Sequence, residues 1–135
     1  MSAASDYLEN IVMNNLLGQA AMTAFPNVYI ALYTAGPTDA GGGTEVSGGS
    51  YARVALTNNT TNWPTISGTT GTKSNGAVIT FPTATADWGT VSHVGVFDAS
   101  SSGNLLLYAA ISTAKLVQTG DTPSFPIGAL TFTLA

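Results

Sequence analysis

The chain has 135 residues and a mass of 13.7 kDa, with three basic residues, seven acidic ones, one histidine and no cysteine. The missing thiols exclude disulfides, thiolate zinc sites and cysteine nucleophiles, and three separated cations (Arg53, Lys73 and Lys115) cannot form the basic patch that a phosphate backbone needs, so no nucleic-acid partner is expected. At 44% hydrophobic and only 7% charged residues, the composition is that of one folded domain, assigned to residues 1–135, and not of a disordered chain.

Residues 1–6 carry no basic side chain, so the cationic start of a secretory signal is missing. The apolar run at 105–111 is too short to span a bilayer, and no membrane partner is expected. Synthesis in a cytoplasm is the expectation from both. So little charge also suggests that part of the surface is hidden in an assembly.

The first 18 residues read as the N-terminal helix. Asp6 followed by Glu9 resembles a capping box, with Asp in the usual Ser/Thr place. Leu8, Ile11, Val12 and Leu16 recur at helical spacing, and Gly18 is a natural stop. A helix this short must pack on something to persist. Its partner is the domain's own sheet or a neighbouring subunit.

From residue 27 to 135 the pattern is strand and turn. VYIALYTA at 28–35 is apolar on both faces and predicts a buried strand. Residues 36–49 hold six glycines, a proline and two acids, and read as a loop. Residues 51–57 predict the next strand. Residues 58–75 form a polar Thr/Asn/Gly stretch around Trp63-Pro64, either a loop or a weak hairpin. Asn75-Gly76 signals a turn, and 76–82 a strand stopped by proline. Residues 90–97 alternate, with Val91, His93, Gly95 and Phe97 on one face and Val94 and Val96 on the other. Residues 104–112 are strongly apolar, and 129–135 set Leu130, Phe132 and Leu134 against threonines. The fold expected is mainly β: a single-domain antiparallel β-sandwich or small barrel, jelly-roll-like, with one short N-terminal α-helix. No internal repeat of the kind that builds a fibre shaft is present.

Chemistry finds little to use. The one histidine, His93, sits mid-strand, and no G-x-S-x-G elbow accompanies it. Asp87 and Asp98 are the nearest thing to a glycosidase pair, by sequence proximity alone. Asp39 and Glu45 share a loop but lack calcium-site spacing. GTTGTKS at 68–74 misses the phosphate-loop spacing, because Thr72 stands where the second glycine belongs. No catalytic, metal or cofactor site is therefore expected. Trp88 reads as a cap on the core edge beside Gly89. Trp63, in the polar stretch, is the better candidate for outside contact, including stacking on sugar.

Three longer runs carry a resemblance: SDYLENIVMNNLLG at 5–18, ALYTAGPTDAGGGTEVSGGSYARVAL at 31–56 and FPTATADWGTVSHVGVFDASSSGNLLLYAAIS at 81–112, with GDTPSFPIGALTFTL at 120–134 fitting as well. The sequence resembles a family of small virion structural proteins of tailed bacteriophages, often labelled tail fibre proteins. The resemblance implies a non-enzymatic part of a particle, with the major capsid protein or tail proteins as partners and self-association, a trimer being favoured. Because shaft-forming repeats are absent, a capsid decoration or cement protein is the leading expectation, and a tail, baseplate or fibre-tip protein with a carbohydrate-binding role is the alternative. Leu8, Ile11, Val12, Leu16 and Trp63 are the candidate contacts to a second copy or to the shell.

Overall fold

Three apolar runs become the three central strands of the largest sheet. The computed structural model describes residues 2–66, 68 and 71–134. Its elements are β1 (Ser2–Ala4), α1 (Asp6–Leu16), β2 (Asn27–Ala35), β3 (Thr44–Glu45), β4 (Val54–Thr57), β5 (Thr72–Ser74), β6 (Ile79–Thr80), β7 (Gly89–Phe97), β8 (Leu105–Val117), β9 (Ser124–Phe125) and β10 (Thr131–Thr133). The large sheet runs β1-β8-β7-β2, all antiparallel. The outer edge of β2 is shared: β4 pairs its first half, from Asn27↔Thr57 to Ile30↔Val54, and β3 pairs Tyr33 and Ala35.

Two-residue alternation sends Val28, Ile30 and Leu32 to one face of β2 and Ala31 and Tyr33 to the other. Both faces are covered, as the doubly apolar run requires. On the first face Val94, Val96, Leu106 and Ala109 join the main core, against Ile79, Phe81, Leu130 and Phe132 from the opposing layer. That layer is a broken sheet of two ribbons, β5–β10 and β6–β9. The architecture is thus a sandwich with one continuous layer and one interrupted layer. Burying a side chain such as Phe81 contributes about 2–3 kcal/mol. Buried Asn75 stitches the ribbons: its amide donates to Ala77 and Pro126 carbonyls and its oxygen accepts from Leu130 N–H.

Several expectations change. The helix cap is Ser5, not Asp6: Ser5 Oγ accepts from Leu8 N–H and donates to the Leu105 carbonyl. Asp6 and Glu9 remain in the first turn, where the helix dipole favours acids. Before the cap, β1 pairs with β8 from Ser2↔Ala109 to Ala4↔Leu107, although three residues carry no readable period. The helix ends at Leu16, and the left-handed conformation falls on Gln19, not Gly18. Val91 turns into the main core with Val94, because the β7–β8 register shifts between Val91 and His93. The strand expected at 76–82 shrinks to Ile79–Thr80, and that at 129–135 to Thr131–Thr133, with Ala135 outside the described residues. In contrast, β8 continues to Val117, five residues beyond the apolar run.

Candidate functional site: a pinned loop and an exposed helix end

The glycine-rich connection from β2 to β4 is held by side chains. Arg53 grips Glu45 with two parallel hydrogen bonds, 2.9 Å from Nε and 2.8 Å from Nη2. Its Nη1 donates to the carbonyls of Ala99 and Ser102 at 2.9 and 2.8 Å, tying in the β7–β8 turn. The guanidinium lies 3.6 Å from the centre of the Phe97 ring, a cation–π contact. Tyr51 donates to Glu45 at 2.7 Å and accepts from Leu32 N–H at 3.0 Å. Trp88 Nε1 donates to the Gly49 carbonyl, and its ring meets Tyr51 edge-on. Gly49 sits at φ +56, and a Cβ there would lie 2.9 Å from Trp88 Nε1, so the approach requires glycine. Trp88 thus caps the core edge, as its place beside Gly89 suggests.

This node has electrostatics of its own. Burial pushes the Glu45 carboxyl up, yet the hydrogen bonds from Arg53 and Tyr51 and the Arg53 charge together outweigh it and hold the group below its ordinary value. Burial, then the Glu45 charge, pushes Tyr33 up to about 12. Glu45, Tyr51, Arg53 and the Trp88 indole N–H are all engaged in hydrogen bonds, so the node pins backbone.

The other candidate groups serve turns. Asp98 accepts from Asn104 N–H and from its side-chain amide; Asp87 accepts from Thr119 N–H and hydroxyl. They flank opposite ends of β7, whose nine residues span about 26 Å. Glycosidase carboxylates stand within about 10 Å, so the two cannot act as a pair. His93 Nδ1 shares a 2.8 Å hydrogen bond with neighbouring Ser92. Its other ring nitrogen packs against Gly36, where a Cβ would approach to 2.6 Å. Asp39 accepts from Tyr108. Lys73 lies in strand β5 and pairs with Phe132 across the ribbon, not at a helix start. Thr69 and Thr70 of the same run lie outside the described residues. Among the described residues no three His, Asp or Glu side chains cluster as metal ligands.

The five contact candidates separate sharply. Trp63 is only 8% exposed, and its ring packs 6.4 Å from that of Phe132. A turn explains the burial: Asn59 Oδ1 accepts from Thr61 and Asn62 N–H, and Trp63 N–H closes onto the Asn59 carbonyl. The ring thus packs inward on the core, whereas the polar stretch around it led to the expectation of outside contact. Its Nε1 has no hydrogen-bond partner among the described residues. Leu8 is buried, and Ile11 and Val12 are half-buried against the same core. Those three pack within their own chain. Leu16 is different, at 68% exposure, and Leu17 beside it reaches 76%. Leu17 lies off the helical stripe; the doubled leucine ahead of Gly18 is the signal for it in the sequence.

The sequence matches the family described as Podophage GP4 fiber I protein gp80 over residues 3–133. No curated protein matches it. The matched span includes the TEVSGGSYAR run, whose Glu45, Tyr51 and Arg53 build the pinned node. On that span the chain belongs to this bacteriophage fibre family and is a structural component of a virion, made in the host cytoplasm.

Proposed function

We propose that the chain is a small, non-enzymatic component of the phage tail fibre apparatus that works through protein–protein contact. The observation that carries this is the family match across residues 3–133. It supports the tail alternative over the capsid-decoration expectation stated from the sequence. The site geometry supports a non-catalytic role, because Glu45, Asp87, Asp98 and His93 are committed to structural hydrogen bonds. The short strands and the lack of repeats suit a joint or tip and not a shaft. Other tail proteins of the same particle are its partners. With Trp63 buried, no sugar-stacking role is assigned. The test is cryo-electron microscopy of the intact particle with this fold docked in the reconstruction. Density at the tail, in few copies, is expected. Density distributed over the icosahedral shell would overturn the proposal and restore decoration.

A further inference from the structure

The strand β8 carries an irregularity that opens the sandwich. Ala110 pairs with His93 and Lys115 with Val91, so residues 111–114 have only Ser92 to face. Four residues against one must bow outward. The interrupted layer does not close over the bow. A groove of about 480 Å³ results, lined among others by Val94, Ile111, Phe125, Leu130 and Phe132, with exposed Thr113 and Lys115 also contributing. No residue of α1 lines it.

The opposite feature is the end of α1. Leu17 and Leu16 are the two most exposed large apolar side chains among the described residues. Residues 10–38 contain no Asp, Glu, Lys or Arg, so this end of the molecule can leave water without stripping a charge. Ala20 N–H caps the Asn14 carbonyl, but the last turn of α1 has no basic residue, which leaves the partial negative charge of the helix C-terminus without a cation of its own. The chain has three cations. Arg53 is committed to Glu45. Lys115 makes no ion pair among the described residues, and it stands beside the apolar groove.

We infer that the end of α1 in one copy docks into the β8 groove of a second copy. Leu16 and Leu17 fill the apolar walls, and Lys115 meets the free helix carbonyls. Symmetric pairing of two helix ends would put two negative dipole ends together with no cation between them. Head-to-groove docking is heterologous, so each copy both gives and receives, and the arrangement closes as a ring or extends. Two leucines and their neighbours are smaller than the roughly 800 Å² per partner of a standard interface. Association in solution is therefore weak and concentration-dependent. This inference does not depend on where in the particle the protein sits.

The absence of native cysteine makes the test clean. Leu17→Cys and Thr113→Cys chains are prepared separately, mixed at a concentration where sedimentation shows association, and treated with a short bis-maleimide. Cross-linking of the mixture, with little in either variant alone, is expected. Rapid cross-linking of Leu17→Cys alone would show symmetric helix contact and overturn the inference. So would a monomer at every attainable concentration, or association without a Leu17–Thr113 cross-link. Leu17→Glu and Lys115→Glu provide the second measurement. Both positions are exposed, so melting should not change while self-association weakens about tenfold or more. Unchanged association in both would also overturn it.

Discussion

The strap at 44–53 and the segment after α1 invert what composition suggests. The strap belongs to the most glycine-rich stretch of the chain, and glycine raises the entropy lost on ordering. Yet Glu45, Tyr51 and Arg53 hold it to β2, to the β7–β8 turn and to the Phe97 ring. The helix end is apolar, and apolar residues ordinarily seek the core. Yet Leu16 and Leu17 face outward, and few hydrogen bonds fasten the connection from there to β2: Ala20 N–H to the Asn14 carbonyl, the Asn15 side-chain amide to the Ala20 carbonyl, and Asn58 to the backbone of Phe25 and Pro26. Order in a connection depends on how many of its polar groups find fixed partners, not on how hydrophobic it is.

Substitution can break this contrast. Arg53→Met should have the largest effect, about 3 kcal/mol or more in urea unfolding, because it leaves a partly buried Glu45 carboxylate with the Tyr51 hydroxyl but no counter-charge. A loss below about 1 kcal/mol would mean that glycine turns alone hold the strap. Tyr51→Phe should cost less, about 2 kcal/mol, since it removes the acceptor of Leu32 N–H and one donor to Glu45 while keeping the ring that packs on Phe81 and Trp88.

The pH dependence sharpens the same point with a smaller effect. Glu45 titrates in the folded chain below its ordinary value of 4.5. The unfolded chain therefore takes up that proton first as pH falls. The stability from the depressed carboxyl is present above about pH 4.5 and is lost as pH drops through the folded value. Thermal melting between about pH 6 and pH 3, which spans the ordinary carboxylate range, should show this decline, and Arg53→Met should flatten it. A variant that keeps the full acid slope would assign the slope to other carboxylates. At the far end of the scale, Leu17→Ser should shift dilute-solution stability by less than about 0.5 kcal/mol, because its side chain is 76% exposed. A larger loss would show that the helix end is fastened to its own chain.

Legibility tracks the length and apolar content of each segment. β2, β7 and the first half of β8 are readable, because long apolar or alternating runs leave a strand little choice. β1, β3 and β9 have two or three residues each, too few for a period, and exist only because a neighbouring strand offers hydrogen bonds. The helix stripe is legible at Leu8, Ile11 and Val12, but the same periodicity counts Leu16, which lies beyond the edge of the core. The polar neighbours of Trp63 point the wrong way. Those asparagines and threonines make the turn that carries the indole inward.

By itself the sequence determined a β-rich chain with one short amphipathic helix, no cysteine and only three cations, and its motifs pointed to a phage virion family. These rest on composition and local period, which need no knowledge of distant contacts. Only the tertiary structure decided that the TEVSGGSYAR run is a structural clamp, and that Trp63 is hidden while Leu16 and Leu17 are not. Each of these depends on which distant residues the sheet register brings together, and register is set by the packing of the whole chain.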